Sequence, residues 1–187
     1  MLICYGFCSS FCTVERSFRA MEELKRRGHD ILPVCSYHFE STDTRFGSAK
    51  KQIERIEALC GRPMIRTISE AEPVGPIHRP DLMILAPCTG NTLAKLRLGI
   101  SDTPVTLAAK AHMRGGRPLL IAFASNDGLS GNFENLAHLY GRKNIYFVPL
   151  CQDDPINKPH SLVCAFEQIP DAALAALEGR QLLPLFR

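Results

Sequence analysis

The chain has 187 residues, 45% of them hydrophobic and 22% charged, with a formal net charge of +3. That composition excludes a disordered chain and fits one globular domain with a sizeable core. The basic residues are scattered, only Lys25-Arg26-Arg27 being clustered, which reads as a solvated helix end and not a nucleic-acid surface. No apolar run nears the roughly 18–20 residues that a membrane span needs. Residues 1–12 lack the basic start of a signal peptide, so a cytoplasmic protein is expected. The eight cysteines include no C-x-x-C pair, and no histidine stands at ligand spacing to them. Reduced thiols are therefore expected, with neither disulfides nor a metal.

Residues 2–6 are apolar and predict a strand, followed by the small polar turn Phe7-Cys-Ser-Ser10. From residue 11 to 27, Val14, Phe18, Met21 and Leu24 recur at helical spacing, and Gly28 stops the helix. Residues 30–35 predict the next strand, where Pro33 marks an edge or a bulge. Residues 36–47 predict an irregular loop. A helix over 49–60 turns Ile53, Ile56 and Leu59 inward and stops at Gly61. Residues 64–67 predict a short strand, and Ser69-Glu-Ala-Glu72 has the capping-box pattern of a short helix. A Pro-rich connector over 73–80 leads into 82–86, the continuous apolar run of a strand buried on both faces. A helix over 91–98 follows, and Thr103-Pro104 caps another over 105–113. Residues 118–123 predict a second central strand and 125–132 a Gly/Asn-rich loop. The next helix runs through Tyr140 to Gly141. A strand over 145–149, a loop over 151–159 and a helix over 170–177 complete the chain. Strands alternating with helices predict a single α/β domain over 1–187, a three-layer α/β/α sandwich on a central parallel sheet.

Four segments, 6–13, 36–47, 86–92 and 124–132, then fall at the carboxyl ends of strands, where open parallel sheets bind ligands. They are rich in Ser, Thr, Asn, Gly and Asp, a surface suited to a phosphate and a planar heterocycle. The first loop has neither G-x-G-x-x-G nor G-K-[ST], so a mononucleotide phosphate on Ser9, Ser10 and backbone N–H groups fits better than a dinucleotide. No Ser-His-Asp or Cys-His pair can be assigned. Three side chains carry two readings each. Cys88 is a thiolate at a helix start or a small packing residue. His78 is a general base or a surface histidine. Arg45, in Thr42-Asp-Thr-Arg-Phe-Gly47, is a clamp for an anionic group or a solvated loop residue.

Pro87-Cys-Thr-Gly-Asn-Thr92, followed by Lys95, Gly99-Ile and Asp102, resembles the Pro-Ala-Ser-Ala-Asn-Thr motif of the flavoprotein family, which includes flavin-dependent cysteine decarboxylases and flavin prenyltransferases. The resemblance implies a Rossmann-like fold, FMN bound between subunits, and homo-oligomers built on trimers. It also implies a cofactor-binding set of Gly6, Ser9, Ser10, Thr13, Ser36, Pro87, Cys88, Thr89, Thr92 and Ser125. Asn91 and Asn126, with Arg45, are the implied catalytic, substrate-facing set. Ser125 stands where the decarboxylases carry a clamp Met. Gly90 stands in place of an Ala, which is expected to leave space beside Asn91.

Longer strings are similar to one branch of that family, the B subunits of bacterial dipicolinate synthases: Ser41-Thr-Asp-Thr-Arg-Phe-Gly47, Glu72-Pro-Val-Gly-Pro76, Ala108-Ala-Lys-Ala111, Ser125-Asn-Asp127 and the 152–159 segment. This similarity implies work with an A subunit in the mother cell of a sporulating bacterium, forming dipicolinate from a dihydro or hydroxylated dicarboxylate. Flavin could act there as hydride acceptor, or the chain could promote an aromatising elimination. Two other readings stay open: a self-sufficient flavin-dependent decarboxylase, and a non-catalytic subunit whose site holds only phosphate.

Overall fold

In the computed structural model, which describes residues 1–187, the apolar runs pair side by side. Strand β1 (Leu2–Phe7) lies between β2 (Asp30–Cys35) and β3 (Leu82–Cys88), and β4 (Leu119–Ser125) extends the sheet beyond β3, all parallel. β5 (Ile145–Phe147) pairs parallel to β4. β3 is buried along its whole length and β4 along all but its last residue, which is why both read as unbroken apolar runs. β2 carries Pro33 and is the edge strand, as a residue without an N–H donor favours.

Each crossover is a helix with a legible start or stop. Helix α1 (Val14–Arg26) buries Val14, Phe18, Met21 and Leu24, each burial stabilising by about 1.5–3 kcal/mol. The short α2 (Tyr37–Ser41) is capped by Ser36, and α3 (Ala49–Cys60) runs from the Ser48 cap to a left-handed Gly61. After α4 (Ile68–Ala71) come α5 (Gly90–Leu98), capped by Thr89, and α6 (Pro104–Met113), with Thr103 as cap and Pro at its first position. Helices α7 (Phe133–Tyr140) and α8 (Ile169–Leu177) complete the set. Helix α1 packs with α3 and α8, whereas α5 packs between α6 and α7, so the sheet is covered on both faces. The core is one cluster of 53 buried residues.

Several expectations need correction. The sheet is not wholly parallel: β7 (Leu162–Cys164) adds antiparallel to the end of β4 and β6 (Leu150–Cys151) antiparallel to β7, giving seven strands. They were illegible because each is too short to show alternation. The 36–47 segment is not all loop, since Ser36 accepts from the Phe39 N–H and nucleates α2. The capping box is Thr67 with Glu70, not Ser69 with Glu72, because Pro73 ends any helix that Ser69 could open. Residues 64–67 form no strand, only an Ile65–Val34 bridge. The first turn of the helix expected from residue 11 is a 3-10 turn over Phe11–Thr13. All eight cysteines are free thiols.

Buried side-chain polar groups find partners, with His112 Nδ1 the exception. The Ser17 hydroxyl donates to the Ala86 carbonyl at 2.6 Å, and the Tyr5 hydroxyl bonds Ser17 at 3.0 Å. Ser17→Ala removes the hydroxyl that meets that carbonyl and should lower unfolding stability by about 1–3 kcal/mol, read from urea denaturation. His112 is fully buried, and its Nε2–H donates to the Pro118 carbonyl at 2.8 Å. Burial pushes its pKa from 6.5 down to about 4. The unfolded chain binds a proton in that window that the folded protein refuses, so stability should fall as pH falls from 6.5 to about 4. His112→Gln should flatten that part of the urea-midpoint profile; an unchanged slope would remove His112 as its cause.

Candidate functional site

The carboxyl edge of the sheet gathers its loops through short tethers. The Cys8 N–H donates to the Pro87 carbonyl at 3.1 Å, and the Ser36 N–H to the Phe7 carbonyl at 3.0 Å. Ser9 and Ser36 hydroxyls meet at 3.3 Å. The hydroxyls of Thr89 and Thr92 lie 3.2 Å apart, and Thr92 passes its own proton to the Cys8 sulfur at 3.3 Å. These contacts bring the first three site loops into one surface.

Two adjoining clefts open on that surface and share Ser9, Thr89 and Asn91. The larger, about 600 Å³, is walled by Ser9 to Cys12, by Arg45 and Phe46, by Thr89 to Asn91, and by Ala124 to Asp127 with Asn132. The smaller, about 420 Å³, adds Ser36, Tyr37, His38, Thr92, Lys95, Asp102 and Thr103. Lys95 and Asp102 are paired there at 2.9 Å.

Of the sequence-derived residues, Ser9, Ser10, Arg45, Thr89, Asn91, Ser125 and Asn126 line the larger cleft, and Ser36 and Thr92 the smaller. Gly6, Thr13, Pro87 and Cys88 line neither; they lie buried beneath the floor. A Cβ on Gly6 would sit 2.7 Å from Leu85 Cδ2, so its role is close strand packing. Thr13 spends its hydroxyl on Ser10, 2.8 Å to the carbonyl and 3.0 Å to Oγ. Burial pushes the Cys88 thiol well above its usual pKa, which favours the packing reading. His78 is exposed at the opposite end of β3 and lines neither cleft. Arg45 sits at the tip of the Thr44–Gly47 turn, its guanidinium 4.9 Å from the centre of the Phe46 ring.

The donor set fits an anion with a flat polar group beside it. The N–H groups of Ser9, Phe11 and Cys12 have no acceptor in the chain, and the first-turn N–H groups of α5 point the same way by helix geometry. Three hydroxyls, those of Ser9, Ser10 and Ser36, stand beside them. This chemistry suits a phosphate monoester.

A polar group that the sequence reading missed forms the opposite wall. Ser125 donates to one oxygen of Asp127, and Asn132 Nδ2 donates to the other at 2.8 Å. Asn135 holds the Asn132 carbonyl at 2.9 Å, and Arg97 holds Asn135 at 3.1 Å. Gly90 leaves no open space beside Asn91. A Cβ there would collide with the Asn132 amide and come within 2.9 Å of Ser125 Oγ. The turn-forming run Ser125-Asn-Asp-Gly128 was the available signal for Asp127.

A Rossmann-like sheet with a hydroxyl-rich, anion-ready carboxyl edge defines the class. The chain belongs to the flavoprotein family, whose model matches residues 9–179. Within it, the chain is similar to the B subunit of dipicolinate synthase from Bacillus subtilis (strain 168), 41% identical over 181 residues, or 97% of this chain and 90% of that protein. The crystal structure of the dipicolinate synthase B subunit from Bacillus halodurans C matches at a TM-score of 0.91 and 36% identity, covering 100% of this chain and 95% of that one. The FMN-dependent cysteine decarboxylase SpaF shares the fold at a TM-score of 0.64 and 19% identity, over 95% and 97% of the two chains.

Gly90→Ala should push the Asn132 amide off Asp127 and lower stability by about 1–3 kcal/mol. Asn132→Ala in the same chain should recover part of that loss in urea denaturation. Strictly additive losses would show that the two side chains do not compete for the same space.

Proposed function

We propose that this chain binds FMN at the carboxyl edge of its sheet and serves as the B subunit of a dipicolinate synthase. The observation that carries the flavin reading is the set of free N–H groups at Ser9, Phe11 and Cys12 beside the hydroxyls of Ser9, Ser10 and Ser36. These groups would hold the phosphate of FMN, and Thr89, Thr92 and Ser125 would border the rest of the cofactor. Bound FMN would supply a two-electron acceptor.

The chain's own part is to bind and orient a small dicarboxylate. Arg45 is the one cation on the wall of the larger cleft and forms no ion pair within the chain. A guanidinium–carboxylate contact there contributes about 1.5–3 kcal/mol. The exposed amides of Asn91 and Asn126 can meet the remaining carboxylate oxygens. The likeness to dipicolinate synthase B subunits over nearly the whole chain supports this substrate class over peptide decarboxylation. In this reading the chain is a single domain that forms homo-oligomers built on trimers. It acts with an A subunit in the cytoplasm of the mother cell, forming dipicolinate from a dihydro or hydroxylated precursor during sporulation. No helix is long and apolar enough to cross a membrane.

Purified protein titrated with FMN should develop the bound-flavin absorbance, with Asn91→Ala weakening affinity without unfolding the chain. Co-expression with an A subunit should then yield dipicolinate only when both chains are present. A colourless protein with no FMN affinity defeats the flavin part and favours a phosphate-only, partner-stabilising role. Dipicolinate formed equally well without this chain defeats the assignment as a synthase subunit.

A further inference from the structure

The direction of one proton restricts what the larger cleft accepts. An ionised carboxylate only accepts hydrogen bonds, so the Ser125 hydroxyl, bonded to Asp127, must point its proton at that carboxylate. Asn132 Nδ2 donates to the second oxygen, and the Asn132 carbonyl is itself occupied by Asn135. The amide orientation and the hydroxyl orientation are thereby both committed. What Ser125 Oγ and Asp127 leave for a ligand is lone pairs, while the exposed Asn126 amide stands between them in the chain. Asp127 is the only carboxylate lining the larger cleft, as Arg45 is the only cation. Arg45 therefore attracts an anionic group, whereas the Ser125–Asp127 pair calls for a hydrogen-bond donor. Gly90 permits this arrangement, since any Cβ there would occupy the position of the Asn132 amide.

We propose that Ser125 and Asp127 make the cleft selective for a ring dicarboxylate that carries a hydroxyl or ring N–H donor, over the fully aromatic pyridine dicarboxylate whose ring nitrogen offers only a lone pair. This rests on the dicarboxylate reading above and deepens it. A hydroxylated or dihydro precursor has the required donor, and the aromatic product has lost it. The same wall that holds the precursor then releases the product, with no movement of the protein. Ser125 and Asp127 are specificity-determining residues in this account. An acceptor facing these acceptors forfeits a hydrogen bond that a donor would make, so discrimination of about tenfold is expected.

Isothermal titration calorimetry of the FMN-supplemented full chain tests this with dipicolinate and chelidamate, its hydroxylated analogue, which presents an O–H or, as its tautomer, an N–H. The wild-type chain should bind chelidamate about tenfold more tightly. Ser125→Ala removes one of the two acceptors and should narrow the gap, and Asp127→Asn turns a donor toward the cleft and should bring the two affinities within about twofold, mainly by weakening chelidamate. Equal wild-type affinities, or a preference that survives in both variants, overturn the proposal and leave the dicarboxylate reading standing. Binding of neither compound overturns the dicarboxylate reading and this proposal with it. Should Asp127→Asn fail to fold, the wild-type comparison and Ser125→Ala decide the matter.

Discussion

Two adjacent carbonyls at the end of β3, those of Ala86 and Pro87, hold the site together. The first accepts from Ser17 on α1 and the second from the Cys8 N–H of the first loop. Helix α1 and the loop before it are thus bound to the same strand end from which α5 departs. Both residues are buried, so each bond replaces a solvation that the folded chain has already given up. Losing either would take a hydrogen bond from a buried acceptor. The free N–H groups of Ser9, Phe11 and Cys12 can remain free only because the rest of the loop is fixed this firmly.

This arrangement separates buried from open residues along one motif. Pro87 and Cys88 lie under the surface, Thr92 is bonded down to Cys8, and only Thr89, Gly90 and Asn91 face the larger cleft. A motif read as a continuous ligand-binding string is therefore half foundation. Gly6 belongs to the same foundation, for its missing side chain is what lets Leu85 approach β1.

The parts of the fold legible in the sequence were those with a long period or a strong stop. The buried runs of β1, β3 and β4, the stripe of α1, the Thr103-Pro104 start of α6 and the glycines at 28 and 61 all act locally, and each appears where expected. What stayed hidden was set by distant partners. β7 exists because the end of β4 offers it an edge, and β6 because β7 does in turn; nothing within Leu150–Cys151 or Leu162–Cys164 announces that. The site divided in the same way. Hydroxyls at strand ends were readable from composition. The Asp127 group was not, because it depends on Asn132 reaching into a space that Gly90 leaves, across residues far apart in the chain.

That last contact also constrains how this chain can change over time. The Asn132 amide and a side chain at position 90 compete for one volume, so position 90 is not free to vary while Asn132 stays. A lineage that acquires a methyl group at 90 must first shorten residue 132. In doing so it releases one oxygen of Asp127 from its amide partner. Glycine at 90 and the Asn132–Asp127 contact are accordingly inherited as a pair, although one opens helix α5 and the other belongs to the loop after β4.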